Sequence, residues 1–175
     1  MELVEEEAAR EVSSECNLFV EDEENFQITK EAVFDEKIGK GIHSIKFNYN
    51  DQYLAGGYRD GKVRIYNVMT KNLTCTLDCN KTANETLVQT IKWRPRIEGR
   101  TNNILLTACR DTMMEWHTPS RKIVNELTLP DNTIYSVEYS NDGMHYALGL
   151  KDCSIRVYDG FTRKEEIKLG GLDNH

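Results

Sequence analysis

The segment Gly56-Gly57-Tyr58-Arg59-Asp60-Gly61-Lys62-Val63 falls one residue short of a phosphate-binding loop of the form GxxxxGK[ST]. In such a loop, backbone amides cradle the phosphates, the lysine reaches the outer phosphates and the Ser/Thr hydroxyl holds magnesium. Val63 has no hydroxyl, so the magnesium ligand is missing. A phosphate loop also leads into a helix N-terminus, whose unpaired amides face the anion. Here the flanking pattern joins two strands, and nucleotide binding is not expected. No GxSxG elbow and no HExxH pair occurs. The acidic runs Glu5-Glu6-Glu7 and Glu21-Asp22-Glu23-Glu24 place carboxylates side by side. Acid–base catalysis needs carboxylates whose pKa values a shaped pocket drives apart, and a polar lead-in leaves them solvated. Cys16, Cys75, Cys79, Cys109 and Cys153 have no CxxC spacing, and His43, His117, His145 and His175 form no cluster. Zinc asks for about four convergent ligands. The chain therefore reads as a non-enzyme with no cofactor and no metal.

The groups that remain are basic, and the elements that hold them come from an internal repeat. Ser44-Ile45-Lys46-Phe47, Thr90-Ile91-Lys92-Trp93 and Ser136-Val137-Glu138-Tyr139 align. Ile45, Ile91 and Val137 are 46 residues apart each time. The segments Tyr53 to Gly57, Ile104 to Ala108 and His145 to Gly149 follow. Next come Asp60, Asp111 and Asp152, 51 and then 41 residues apart, each opening a further apolar run. The longer connection from Arg94 to Asn103 accounts for the uneven spacing. Ser44-Ile45-Lys46-Phe47 alternates polar and apolar, as a half-buried strand does. Asn50-Asp51 and Asn141-Asp142-Gly143 are turn signals. The fourth strands are Leu73 to Leu77, Ile123 to Leu127 and Glu166 to Leu169. Four short strands per period of about 40–45 residues is the propeller pattern.

Asp60-Gly61-Lys62-Val63-Arg64-Ile65-Tyr66-Asn67 and Asp152-Cys153-Ser154-Ile155-Arg156-Val157-Tyr158-Asp159 resemble the repeat ending of the WD family. Tyr158-Asp159 stands at the Trp-Asp position and Tyr66-Asn67 is a weaker version. In the second repeat His117 takes the place of the tryptophan and Trp116 precedes it. The Gly-His pair that usually opens a repeat is missing from all three. The resemblance covers residues 42–172. It implies that Asp60, Asp111 and Asp152 hydrogen-bond within their own blades, because a carboxylate can accept several turn amides.

The fold expected is all-β, a partial propeller of three four-stranded antiparallel blades behind an acidic N-terminal segment. Residues 1–38 form that segment, with Phe26-Gln27-Ile28-Thr29 as a candidate closing strand. Residues 39–175 hold the blades, at approximately 42–77, 87–128 and 133–170. Residues 1–36 carry thirteen acids and two bases, a net charge of −11, so the remainder carries about +4 of the total −7. Propellers close with about four to eight blades, so missing C-terminal blades of a longer chain, or a partner, are expected to complete the ring.

Two sets of bases are candidate partner contacts. Arg59, Arg110 and Lys151 each precede a turn aspartate, and rotation between repeats puts them in an arc on one face. Arg94, Arg96 and Arg100, with Lys92, sit between the first and second strands of the second repeat. The reading is a non-catalytic scaffold for other proteins in a larger assembly, cytoplasmic and of cytoskeletal or ciliary type. The acidic start lacks the basic and apolar parts of a secretory signal, and no run of about 18 apolar residues exists to cross a membrane. The alternative is a nucleic-acid-binding or ribonucleoprotein-associated propeller using the Arg94–Arg100 loop, against which the overall acidity weighs. A propeller hydrolase is a more distant one.

Overall fold

The computed structural model describes residues 41–80, 86–100 and 102–171. The expectations for the acidic lead-in and its closing strand lie outside the described residues. Twelve strands follow one another, and no helix occurs among the described residues. The first blade is β1 (Ile42–Phe47), β2 (Tyr53–Tyr58), β3 (Lys62–Asn67) and β4 (Leu73–Asp78). The second is β5 (Thr90–Trp93), β6 (Ile104–Cys109), β7 (Thr112–His117) and β8 (Lys122–Thr128). The third is β9 (Ile134–Tyr139), β10 (His145–Leu150), β11 (Ser154–Asp159) and β12 (Glu165–Gly170). Each sheet is an antiparallel meander in sequence order, so the expected fold class holds.

The blades stack through their first strands, β1 against β5 and β5 against β9. Between the first two blades, Ala55, Val63, Ile65 and Leu77 meet Ile91, Trp93, Leu105 and Trp116. Between the second and third, Leu106, Ala108 and Met113 meet Ile134, Val137, Tyr146 and Leu148. Period-2 alternation gives a strand two faces, so β6 and β7 of the middle blade feed both cores. Polar ties cross the first junction. The Ile91 amide donates to Ser44 Oγ at 3.3 Å, and Trp93 Nε1 donates to the Lys46 carbonyl at 3.1 Å. Gly57 is needed there, because a Cβ would lie 2.8 Å from Val88 Cγ1 of the next blade.

The outer faces of the stack differ from the inner ones. Ile91 and Trp93 are buried, whereas their equivalents in the first blade, Ile45 and Phe47, are 59% and 53% exposed. Val63 and Leu77 are buried, whereas Ile155 and Leu169 of the third blade are 47% and 55% exposed.

Register corrects one alignment. Tyr66 pairs with Leu54, Tyr158 with Tyr146, and Trp116 with Leu105, each at the second position of the second strand. The third-to-fourth-strand bulge falls just before Tyr66, Trp116 and Tyr158 in the three blades. Trp116 itself therefore occupies the tryptophan position, and His117 is equivalent to Asn67 and Asp159. The reading that put His117 at the tryptophan position counted from Asp111. The β6–β7 turn has two residues, Arg110 and Asp111, where the other blades use three. That shortening shifted the count by one.

Candidate interaction surfaces

Hairpin geometry sends the two sets of bases to opposite ends of the blades. Arg59, Arg110 and Lys151 lie on the β2–β3, β6–β7 and β10–β11 turns. The stack is in register, so these three turns share one end, and all three side chains are exposed. Arg94, Arg96 and Arg100 lie on the β5–β6 connection, at the other end. Lys92, read as part of that connection, is inside β5 and pairs with Glu138 of the next blade. The two sets cannot make one surface.

Beside each exposed base, the aspartates behave unequally. Asp60 is buried; Oδ1 accepts the Lys62 amide at 3.2 Å and Arg64 Nη1 at 3.2 Å, and Oδ2 takes Arg64 Nη2 at 2.7 Å. Burial alone would raise its pKa, but the Arg64 hydrogen bond and charge and the Lys62 amide together hold it below the ordinary 3.8. Asp152 accepts the Ser154 hydroxyl at 2.6 Å and the Ser154 amide at 3.0 Å, with Arg156 at 3.7 Å. Donation from the Ser154 hydroxyl lowers its pKa, against a smaller opposing effect of burial. Asp111 does not share this geometry. The short turn leaves it accepting the Thr112 hydroxyl at 3.1 Å, with no turn amide two residues on. Arg110 takes the left-handed conformation that Gly61 and Cys153 supply in the other turns, with φ of 54° against 74° and 64°. The β3 position of Arg64, which is also that of Arg156, is held in β7 by Met114. Aspartate geometry and arginine partner are thus lost together in the middle blade.

Within that blade, Trp116 Nε1 donates to Thr107 Oγ1 at 3.1 Å, a buried bond between its second and third strands. The residue after the aromatic shapes the next turn: Asn67 Oδ1 accepts the Thr70 amide at 2.8 Å, and Asp159 Oδ1 accepts the Phe161 amide at 2.8 Å. His145, Asp159 and Glu166 each bring one ligating atom within 4.8 Å of the others. Glu166 Oε2 lies 3.2 Å from His145 Nε2, and Asp159 is engaged in its turn.

At the other end, Arg94 departs most from expectation. Its side chain is 10% exposed, and it forms an ion pair with Glu115, which is 1% exposed. Nη2 also donates to the Gly160 carbonyl of the third blade at 3.1 Å. Arg163 Nε reaches Glu115 Oε2 at 3.3 Å, and the Tyr139 hydroxyl lies 3.4 Å from Oε1. Burial, then the Glu115 charge, pushes the Tyr139 phenol up. Arg94 is therefore an inter-blade tie rather than a solvated contact, because a buried carboxylate requires a paired cation. Arg100 stacks on the Phe161 ring at 4.4 Å, and Arg96 is exposed. Glu115 escaped sequence reasoning, yet a signal exists: Ile65 and Val157 hold the equivalent position, and Asn48 and Ser140 hold that of Arg94.

Comparison with known proteins fits this geometry. The family model of the anaphase-promoting complex subunit 4 WD40 domain matches residues 24–96, beginning ahead of β1, and the WD domain, G-beta repeat model matches residues 121–159. THO complex subunit 3 of Arabidopsis thaliana is 26% identical over 121 residues, 69% of this chain and 37% of that protein. A chain in the crystal structure of the mitotic checkpoint complex superposes with a TM-score of 0.64 at 17% identity, over 77% of this chain and 38% of that one. That structural likeness speaks for the fold alone. The chain thus spans a little over a third of the length of these relatives. With three in-register four-stranded blades, an aromatic at the signature position of each and two matching repeat models, the chain belongs to the WD-repeat β-propeller family.

Proposed function

We propose that the chain is a non-catalytic scaffold that holds protein partners within a larger assembly, in the cytoplasm. One observation carries this reading. At the β2–β3-type turns the base is exposed in all three blades, while its neighbouring aspartate is turned to bonds within the blade. Three cations at one end, free of that internal work, suit an acidic segment. A partner's tail or the chain's own lead-in, net −11 over residues 1–36, has the required charge. Exposed charges act over about 8 Å at physiological ionic strength, so this attraction should weaken with salt. The test is the triple change Arg59→Glu, Arg110→Glu and Lys151→Glu, read by anisotropy with a labelled Asp/Glu-rich peptide. Affinity should fall at least about tenfold at low salt, equivalent to roughly 1.4 kcal/mol, while circular dichroism keeps its β signal. Binding unchanged at both low and high salt overturns the reading.

The exposed apolar residues at both ends of the stack support further blades, or a partner, on those faces, since buried counterparts exist at each position. A second reading is favoured by the similarity to THO complex subunit 3. In this reading the chain is a nucleic-acid-binding or ribonucleoprotein-associated propeller, with Arg96 and Arg100 but not Arg94 available to phosphate. A salt-dependent shift assay on single-stranded RNA, comparing wild type with Arg96→Glu/Arg100→Glu, separates this reading from the first.

A further inference from the structure

Two cysteines meet across the junction of the first two blades. Cys79 follows β4, where its amide donates to the Gly61 carbonyl at 2.9 Å. Cys109 ends β6 of the next blade. Both are buried in the same inter-blade core, and both line one cleft. They are free thiols, 3% and 4% exposed. The Thr107 hydroxyl lies 3.6 Å from Cys79 Sγ. Beside them opens a cleft of about 260 Å³ lined by Cys79, Cys109, Thr86, Arg110, Asp111 and Thr112. A molecule the size of hydrogen peroxide fits such a volume many times over.

Position in the fold makes this pair unlike the other cysteines. Cys75 is buried in β4 and Cys153 is exposed on the β10–β11 turn. Neither has a thiol partner among the described residues. Donation from Cys109 to Cys79 lowers the Cys79 pKa against the opposing effect of burial. The same bond, with burial, raises that of Cys109. The thiolate is the nucleophile toward peroxide and a second thiol the resolving group, and two thiols lining one cleft supply both roles.

We propose that Cys79 and Cys109 form a peroxide-reactive site that oxidises to a disulfide joining the first blade to the second. The Cys79 thiolate attacks one peroxide oxygen and the O–O bond breaks. Hydroxide leaves and takes up a proton as water, and Cys79 becomes a sulfenic acid. Cys109 sulfur then displaces the sulfenic oxygen, which leaves as a second water carrying the Cys109 proton. Both sulfurs are oxidised by one electron and peroxide is reduced to two waters. The bond would close a loop spanning a blade boundary, so it would fasten two units that otherwise meet through packing.

The test uses the full chain treated with hydrogen peroxide, quenched by alkylation and digested without reductant. A cross-linked peptide should appear, with fragmentation assigning the bond to Cys79 and Cys109, and dithiothreitol should abolish it. Differential alkylation of the denatured protein should show the Cys79 and Cys109 thiols lost together. In Cys109→Ser the resolving thiol is gone, and dimedone should label Cys79. The wild-type mapping decides the matter even if that variant does not fold. Two results overturn the proposal. One is Cys79 and Cys109 both alkylated after a treatment that oxidises the exposed Cys153; the other is a bond from Cys79 to Cys75.

Discussion

Replacing Glu115 with Ile puts into the second blade the residue that Ile65 supplies in the first. Despite that precedent, the single change should be costly. Glu115 is 1% exposed and accepts from Arg94, Arg163 and Tyr139. Arg94, only 10% exposed, would be left with the Gly160 carbonyl as its acceptor. Stranding one partner of a buried ion pair costs about 3–5 kcal/mol. Arg163 adds little, because its side chain is 40% exposed and water screens it. With a urea slope of about 2 kcal/mol per molar, the unfolding midpoint should fall by roughly 1.5–2.5 M. Changing Arg94→Ser as well installs the residue that Ser140 supplies in the third blade. The double variant then has an apolar residue facing an apolar core and no stranded charge. It should recover at least about 2 kcal/mol of the loss, which a double-mutant cycle reads directly. The reasoning is refuted if Glu115→Ile costs under about 1 kcal/mol, or if the two single effects simply add.

Other outcomes follow from the turns and the junction. Asp60→Ala should cost about 1–3 kcal/mol in urea denaturation, because the Lys62 amide and the Arg64 fork both lose their acceptor. Asp111→Ala should cost under about 0.5 kcal/mol, as its bond is a single side-chain one. The Asp60 pKa is depressed in the folded state, so the unfolded chain binds more protons in acid. The stabilisation is then full above the ordinary 3.8 and is lost as pH falls through the lower folded value. Urea midpoints measured from pH 5 downward should therefore fall less steeply for Asp60→Asn than for wild type. Trp116→Phe should cost about 1–2 kcal/mol, since Thr107 Oγ1 loses a buried donor; an equal cost for His117→Phe would contradict the register assigned here. Gly57→Ala should destabilise by about 1–3 kcal/mol through the Val88 clash.

The fold was legible because the chain repeats. The 46-residue recurrence of Ile45, Ile91 and Val137, and the alternation inside each strand, were enough for three antiparallel four-stranded blades. Strand patterning is local, so a period-2 pattern with turn residues at its ends can be read without knowing the neighbours. Local reading failed where one residue was missing. The two-residue Arg110-Asp111 turn put Asp111 out of step with Asp60 and Asp152, and only pairing of Trp116 with Leu105 showed which residue fills the aromatic position. Charge partners were also beyond its reach. Arg94, Glu115 and Arg163 are 21 and 48 residues apart, and nothing in the spacing of one blade says that a neighbour's loop will arrive beside it. The tertiary structure decided that Arg94 is an internal tie while Arg59, Arg110 and Lys151 stay in water. A base looks the same in sequence whether it meets solvent or a buried carboxylate; desolvation and the pairing that the folded blades bring together make the difference.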